Sequence, residues 1–195
     1  KYSIMASILK VDKIRGTGLD SDSISIDGSG NLTTAKTLSA PGHVIQVVTG
    51  NLTSLLSASG TTIVDTGLTA TITPTSTSSK IFCSGYISIG TAGYFVYLWL
   101  VRGSTQIFKG DAAGSRPTVT VAAPSHGGSD DIYALEPTPF SFLDSPNTTN
   151  ATTYKIQGRQ YGSGAWFVNR TNSHRDNADY EPVGTSTITL MEIAQ

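Results

Sequence analysis

From about residue 42 onward the chain alternates apolar and polar positions in short runs, with Gly, Pro, Ser, Asn and Asp filling the spaces between them. A period of two marks a strand, because successive side chains point to opposite faces of a sheet. The runs predict strands over residues 43–48, 61–66, 68–73, 80–89, 94–102, 106–109, 117–122, 140–143, 153–160, 165–170 and 185–193. Gly67 separates the second from the third. No window of about twelve residues carries a 3.6-residue apolar period with caps, so no helix is expected. Many short strands at this spacing indicate an all-β sandwich or jelly roll.

The first 40 residues read differently. Ile8, Leu9, Val11 and Ile14 form a short β-favouring run, followed by Gly16 and Gly18. Ile24 and Ile26 then lead into Asp27-Gly28-Ser29-Gly30-Asn31 and Leu32, and Asp-Gly between alternating residues is a strong hairpin signal. Too few large apolar groups lie here to bury a core of their own. The segment is expected to be an extended anchor or shaft that leans on sister chains or a docking surface, with a floppy leader as the bland reading. The stretch from Thr37 through Pro41-Gly42 reads as a hinge, giving units 1–40 and 41–195. Met5-Ala6-Ser7 has the form of a translation start, which would set Lys1 to Ile4 apart as an upstream extension or as added residues.

Two of the strands carry more information. Phe95, Tyr97, Trp99 and Val101 point one way, while Val96, Leu98 and Leu100 point the other. Near the end of the chain, Ile188 and Leu190 oppose Met191 and Ile193. An outer strand of a monomeric sandwich should be polar on one face. These two are either central in a single-chain core or covered on the second face by an identical subunit. The second reading is preferred, because an exposed apolar patch of that size would be anomalous.

Composition narrows the function. Charged residues are 14% of the chain and the net charge is −1, while about a quarter of positions are Ser or Thr. No basic excess suits a phosphate-neutralising protein, so no nucleic-acid partner is expected. The longest apolar run, Tyr94 to Val101, is far short of a membrane span, so no membrane insertion is expected. Residues 1–10 lack the apolar region of a secretory signal. The single cysteine, Cys83, excludes an intrachain disulfide; it reads as a small buried hydrophobe on an alternating strand. The five Asn-x-Ser/Thr sites, at Asn31, Asn51, Asn147, Asn150 and Asn169, are mainly a by-product of this composition.

Candidate chemistry is sparse. His43, His126 and His174 match no zinc-protease spacing, and no Gly-x-Ser-x-Gly elbow occurs. Asp130-Asp131 and Asp176 with Asp179 are the only carboxylate clusters that a glycosidase reading could use, and no enzyme activity is expected from them. Asp176, Asp179 and Glu181 have the oxygen chemistry of a calcium site but not an EF-hand spacing, so a solvated loop is preferred; no metal or cofactor is expected. Receptor contact is the sharper reading for the loops at 124–131 and 172–182. His126, His174, Asp176, Asp179 and Tyr180 are its candidates there, since a ring stacks on a sugar's apolar face and polar groups fix its hydroxyls. Tyr161 and Trp166 lie in the right kind of segment, although a strand tryptophan is more often core.

The run from Met5 to Ile14 (MASILKVDKI) and that from Pro41 to Val48 (PGHVIQVV) resemble the start of virion structural proteins of marine tailed phages, especially those of cyanobacteria. The segments LTATITPTSTSSK from Leu68, LVRGS from Leu100, FLDSP from Phe142 and GTSTITLMEIA from Gly184 are similar to the same group. The resemblance implies a tail-fibre-like or capsid-appendage protein, located on the virion tail or capsid and assembled in the host cytoplasm. Strand order also looks like the trimeric jelly rolls of the tumour necrosis factor and C1q type. The expectation is therefore an all-β homotrimer with an N-terminal shaft and a jelly-roll head. Ile8, Leu9, Val11 and Ile14 would dock to other virion proteins. Phe95, Tyr97, Leu98, Trp99, Leu100, Met191 and Ile193 would form trimer interface or core, and a host cell-surface glycan is a candidate partner. A capsid decoration protein without receptor recognition and a carbohydrate-binding module are the alternatives.

Overall fold

The structure, a computed structural model, describes residues 13–14, 24–34, 40–91, 93–124, 132–176 and 179–195. Contacts divide the chain into two compact units, 1–40 and 41–195. In the first unit, β1 (Lys13–Ile14), β2 (Ile24–Ile26) and β3 (Leu32–Thr34) form a three-stranded antiparallel meander. Asp27 holds the turn between β2 and β3. Its carboxylate accepts the backbone N–H groups of Ser29 at 2.9 Å and Asn31 at 2.8 Å, and the Asn31 amide at 2.8 Å. Ile8, Leu9 and Val11 lie outside the described residues, and Ile14 pairs with Ile24.

The second unit is all-β and antiparallel, in two facing sheets. Its strands are β4 (Val44–Leu52), β5 (Leu56–Ser59), β6 (Val64–Ile72), β7 (Lys80–Thr91), β8 (Val96–Arg102), β9 (Thr105–Ile107), β10 (Val121–Ala123), β11 (Glu136–Asp144), β12 (Thr152–Gln160), β13 (Ala165–Val168) and β14 (Ser186–Ile193). One sheet runs β4-β14-β7-β11, with β5 and β13 continuing it at one end. The other runs β6-β12-β8, with β10 and β9 sharing the far edge of β8. Taken in chain order with the short pieces merged, the strands fall as first-last-third-sixth and second-seventh-fourth-fifth. That is the two-Greek-key order of a jelly roll.

The core lies between the sheets. Leu68 and Ile72 of β6, Leu98 and Leu100 of β8, and Tyr154 and Ile156 of β12 meet Ile81, Cys83 and Ile87 of β7, Trp166 of β13, and Ile188 and Leu190 of β14. Burial pushes the Cys83 thiol up to about 12, with the charge of Asp144 adding to the effect, so it stays protonated as a small hydrophobe. β4 closes against β6 at one side of the sandwich. A Cβ on Gly50 would overlap the Thr69 carbonyl, so only glycine allows that approach. Gly67, with φ at +89°, does not end a strand as its position suggested. It forms a bulge inside β6, where the register with β12 shifts between Lys155 and Gln157. β5 carries too weak a β signal, Leu-Ser-Ala-Ser, to have been read from its residues.

Buried polar groups close both ends. At one end Asp144, Ile81 and Glu192 share a cross-strand row. Asp144 takes Arg102 Nη1 on both oxygens, at 2.9 and 2.8 Å, and the Tyr154 hydroxyl at 2.7 Å, tying β11 to the opposite sheet. Burial, then that hydrogen bond, raises the Tyr154 hydroxyl well above its ordinary range. Glu192 accepts Gln46 Nε2 at 2.6 Å and Thr75 N, Thr75 Oγ1 and Ser79 Oγ at 2.7 Å each. Burial opposes its charge, yet these donors outweigh it and hold its pKa below the usual range.

At the other end, β13 and β14 run in file along the same edge of β7, and β4 and β5 do the same one strand further out. Asn169 sews both breaks. Its φ is +62° and it is fully buried. Its backbone N–H reaches Ser88 O at 2.9 Å, its amide donates to Leu52 O at 2.9 Å and Ser54 O at 3.0 Å, and its Oδ1 accepts the Ser186 hydroxyl at 2.6 Å. A glycan acceptor role for this Asn-x-Thr is thereby closed off in the folded chain. Replacing it with alanine removes the donors to two part-buried carbonyls and the acceptor of the buried Ser186 hydroxyl, and keeps a side chain at positive φ. Asn169→Ala should lower unfolding free energy by about 3 kcal/mol, and Asn169→Gly by about 1 kcal/mol less, as read by denaturant titration.

Candidate functional site

With one face of every long strand in the core, the outer faces are what remains for function. On the four-strand width of the larger sheet, register places the outer residues in rows. Leu143, Phe82, Met191 and Val47 form one continuous apolar row across β11, β7, β14 and β4. Lys80, Ile193 and Val44 lie beside it on one side. Ser141, Ser84, Thr189 and Thr49 form the next row on the other, followed by Pro139, Tyr86, Thr187 and Asn51. Lys80 is the one charged side chain in these rows. Val47, Leu143 and Val44 are 54%, 46% and 40% exposed, with Phe82, Met191 and Ile193 half-buried.

The opposite sheet treats its outer face differently. Val96, Leu98 and Leu100 of β8 are fully buried in the core. The second face, which the alternation assigned to a neighbouring subunit, is covered by this same chain at Trp99 and Val101, 4% and 0% exposed. The segment after β9 returns along the edge of β8, and Thr118 O accepts the Trp99 indole N–H at 2.7 Å while Arg159 lies 5.9 Å from its ring. A strand apolar on both faces thus needs no second copy here, because a loop supplies the cover. Tyr97 is half-buried on that face and Phe95, just before β8, is 49% exposed. Trp166 is wholly in the core.

The loop between β13 and β14 is an excursion whose neck is closed by the bridge between Arg170 and Val183. Arg170 stacks on Phe167 at 4.4 Å and donates to the carbonyls of Thr171 and Asn172, both at 2.9 Å. His174, Asp176, Asp179 and Tyr180 all lie on this excursion; His126 and the Asp130-Asp131 pair lie outside the described residues. Tyr180 is 57% exposed and meets the Tyr133 ring edge-on at 5.0 Å. Arg175 binds them together, donating to Tyr180 Oη at 2.8 Å and to Tyr133 Oη at 3.4 Å. It also donates from Nε to Glu181 Oε1 at 2.9 Å, and its backbone N–H reaches Glu181 Oε2. Arg175 and Tyr133 were missed in the sequence, where Arg175 sat unremarked inside the polar cluster and Tyr133 lies 42 positions away.

Glu181 is turned inward, its side chain 0% exposed, so it is not free to join Asp176 and Asp179 around a cation. Among the described residues no group of three or more metal-ligating side chains comes together. Nor is any helix there long and apolar enough to cross a membrane.

No protein-family model and no curated protein matches the chain. Among solved structures it is similar to a chain of infectious bursal disease virus, Gx strain, at 15% identity and a TM-score of 0.35, with 94% of this chain and 47% of that one covered. A VP2 subviral particle of the same virus gives 13% identity and a TM-score of 0.36, covering 94% and 43%. The chain spans less than half the length of these viral chains. The likeness is one of β-rich architecture at low superposition.

Burial opposes the charge of Glu181, but the Arg175 backbone N–H, Ser173 and the Arg175 guanidinium overcome it and hold its pKa below the ordinary glutamate range. A carboxylate with a lowered folded pKa stabilises the fold above its unfolded value, about 4.3, and that contribution is lost as pH falls through the lowered one. Hydrogen-exchange protection of the 171–182 excursion, corrected for intrinsic rates, should hold at neutral pH and decline below about pH 4. Glu181→Gln should already show reduced protection at pH 7; an unaltered profile would count against the ion pair as its anchor.

Proposed function

We propose that this chain is a structural protein of a tailed-phage virion, acting as a homotrimer. Its N-terminal unit docks to other virion proteins and its jelly-roll head is displayed outward. One observation carries the assembly part: across β11, β7, β14 and β4 the outer rows of the larger sheet hold no charged side chain but Lys80 and include an unbroken apolar row of Leu143, Phe82, Met191 and Val47. A contiguous apolar face of this kind marks a protein contact. The phage assignment rests on the resemblance of the quoted sequence segments, and the number of copies on a separate likeness, that of the strand order to trimeric jelly rolls, which cover one sheet with symmetry mates.

Assembly through the face rather than the edges is also the chemically consistent route. β11, at one edge, carries Pro137 and Pro139, both exposed, which remove backbone donors and block an added strand. β4, at the other, is engaged by β6. Of the residues expected at the interface or in the core, Met191 and Ile193 lie on the proposed contact face, whereas Leu98, Trp99 and Leu100 are buried within the chain.

Light scattering of the purified chain is expected to give three times the single-chain mass. Val47→Lys with Met191→Lys should yield a folded single copy, since both lysines would be buried at the contact without partners. A wild-type chain that runs as a well-folded monomer would overturn the proposal. A particle map that locates residues 1–40 separates the fibre reading, with those residues at the tail, from the decoration reading, with them on the shell.

A further inference from the structure

The outer face of the smaller sheet carries a second surface that the assembly face does not use. Tyr94, Tyr161 and Tyr97 form a stepped aromatic strip there, with ring centroids 6.4 Å apart at each step. Tyr94 and Tyr161 are 46% and 58% exposed. The turn beside them is Gly162-Ser163-Gly164, and the absence of side chains at both glycines keeps the Tyr94 ring uncluttered; a Cβ on Gly164 would already sit 3.3 Å from it. Arg159 continues the strip, paired with Tyr97 across β12 and β8, its guanidinium 5.1 Å from the Tyr97 ring.

The electrostatics of Arg159 are unlike those of its neighbours on the same face. Lys155 is neutralised by Asp65 at 2.8 Å, and Gln157 donates to the same carboxylate at 2.7 Å. Arg159 donates to the carbonyl of Gln160 at 3.2 Å and makes no ion pair with a described residue. Stacking on Tyr97 fixes the plane of the guanidinium while leaving in-plane N–H groups to donate outward. An oriented guanidinium with no ion-pair partner among the described residues is suited to a carboxylate or sulfate, which accepts two of its donors in a fork.

We propose that Tyr94, Tyr161, Tyr97 and Arg159 form a binding site for an acidic, pyranose-containing glycan. The tyrosine rings stack on the apolar C–H face of the sugar, and Arg159 takes its carboxylate or sulfate. The site is distinct from the 172–182 loop, and it gives the display part of the proposed function a ligand class. It rests on that reading only for its biological meaning, since a single copy would carry the same strip.

The test is calorimetric titration of the full chain with an oligogalacturonide, a sulfated galactan oligosaccharide and a neutral galactan oligosaccharide of equal length. The wild-type chain should bind one or both acidic sugars at least about tenfold more tightly than the neutral one. Which of the two it prefers identifies the anionic group. Arg159→Gln should erase that preference and leave neutral binding in place. Tyr161→Ala should weaken every sugar by about tenfold, and both variants should keep the wild-type melting temperature. Absence of binding to all three sugars at millimolar concentration would overturn the proposal. So would binding that both variants retain in full. Neither result depends on whether the chain is a trimer, so failure of this site and failure of the assembly reading are told apart by light scattering on the same sample.

Discussion

Two sheets share a single core, so each long strand buries one face against the opposite sheet and leaves the other to be accounted for. This constraint sets everything else in the second unit. It places Val96, Leu98 and Leu100 against Ile188 and Leu190 and thereby fixes, by alternation alone, that Tyr97 and Trp99 on one side and Met191 on the other look outward. The outer faces then diverge in chemistry. One carries an apolar row across four strands, flanked by Lys80 on one side and by hydroxyl side chains on the other; the other mixes tyrosines with Lys155, Gln157 and Arg159 and folds a loop over its tryptophan.

A sandwich of this kind is vulnerable where its sheets end, because backbone groups there face neither partner strand nor solvent. The chain meets that with polar side chains that cross the gap. Asp144 and Glu192 flank Ile81 in one row and draw in Arg102, Tyr154, Gln46, Thr75 and Ser79. Asn169 does the equivalent work at the far end, where two pairs of strands break in register. These groups are costly to bury alone and stabilising only as complete sets, which makes them more sensitive to substitution than any aliphatic neighbour.

Much of this was legible from alternation. The strands from Lys80, Thr152 and Ser186 announce themselves through β-branched and aromatic residues at every second position, and the Asp27-Gly28 turn through its chemistry. β11 began earlier than its apolar residues suggested, because Pro137 and Pro139 normally argue against a strand and are tolerated only on an outer edge. What covers the second face of β8 was not legible. Periodicity says that Trp99 needs a cover, but not whether the cover is a sister chain or residues around Thr118. The clustering of Tyr133 with Arg175, and of Tyr94 with Tyr161, arises from contacts distant in sequence, which no local pattern encodes.

The closed neck at Arg170 and Val183 has a consequence for how such a protein changes over time. Because β13 and β14 both hang on one edge of β7, the register of the sheet is decided before the chain leaves on its excursion and after it returns. Lengthening a tethered loop raises its closure entropy only logarithmically. Whole peptides can therefore be exchanged between these two posts without re-threading the sandwich, so that new specificities are gained by grafting rather than by redesign of the scaffold.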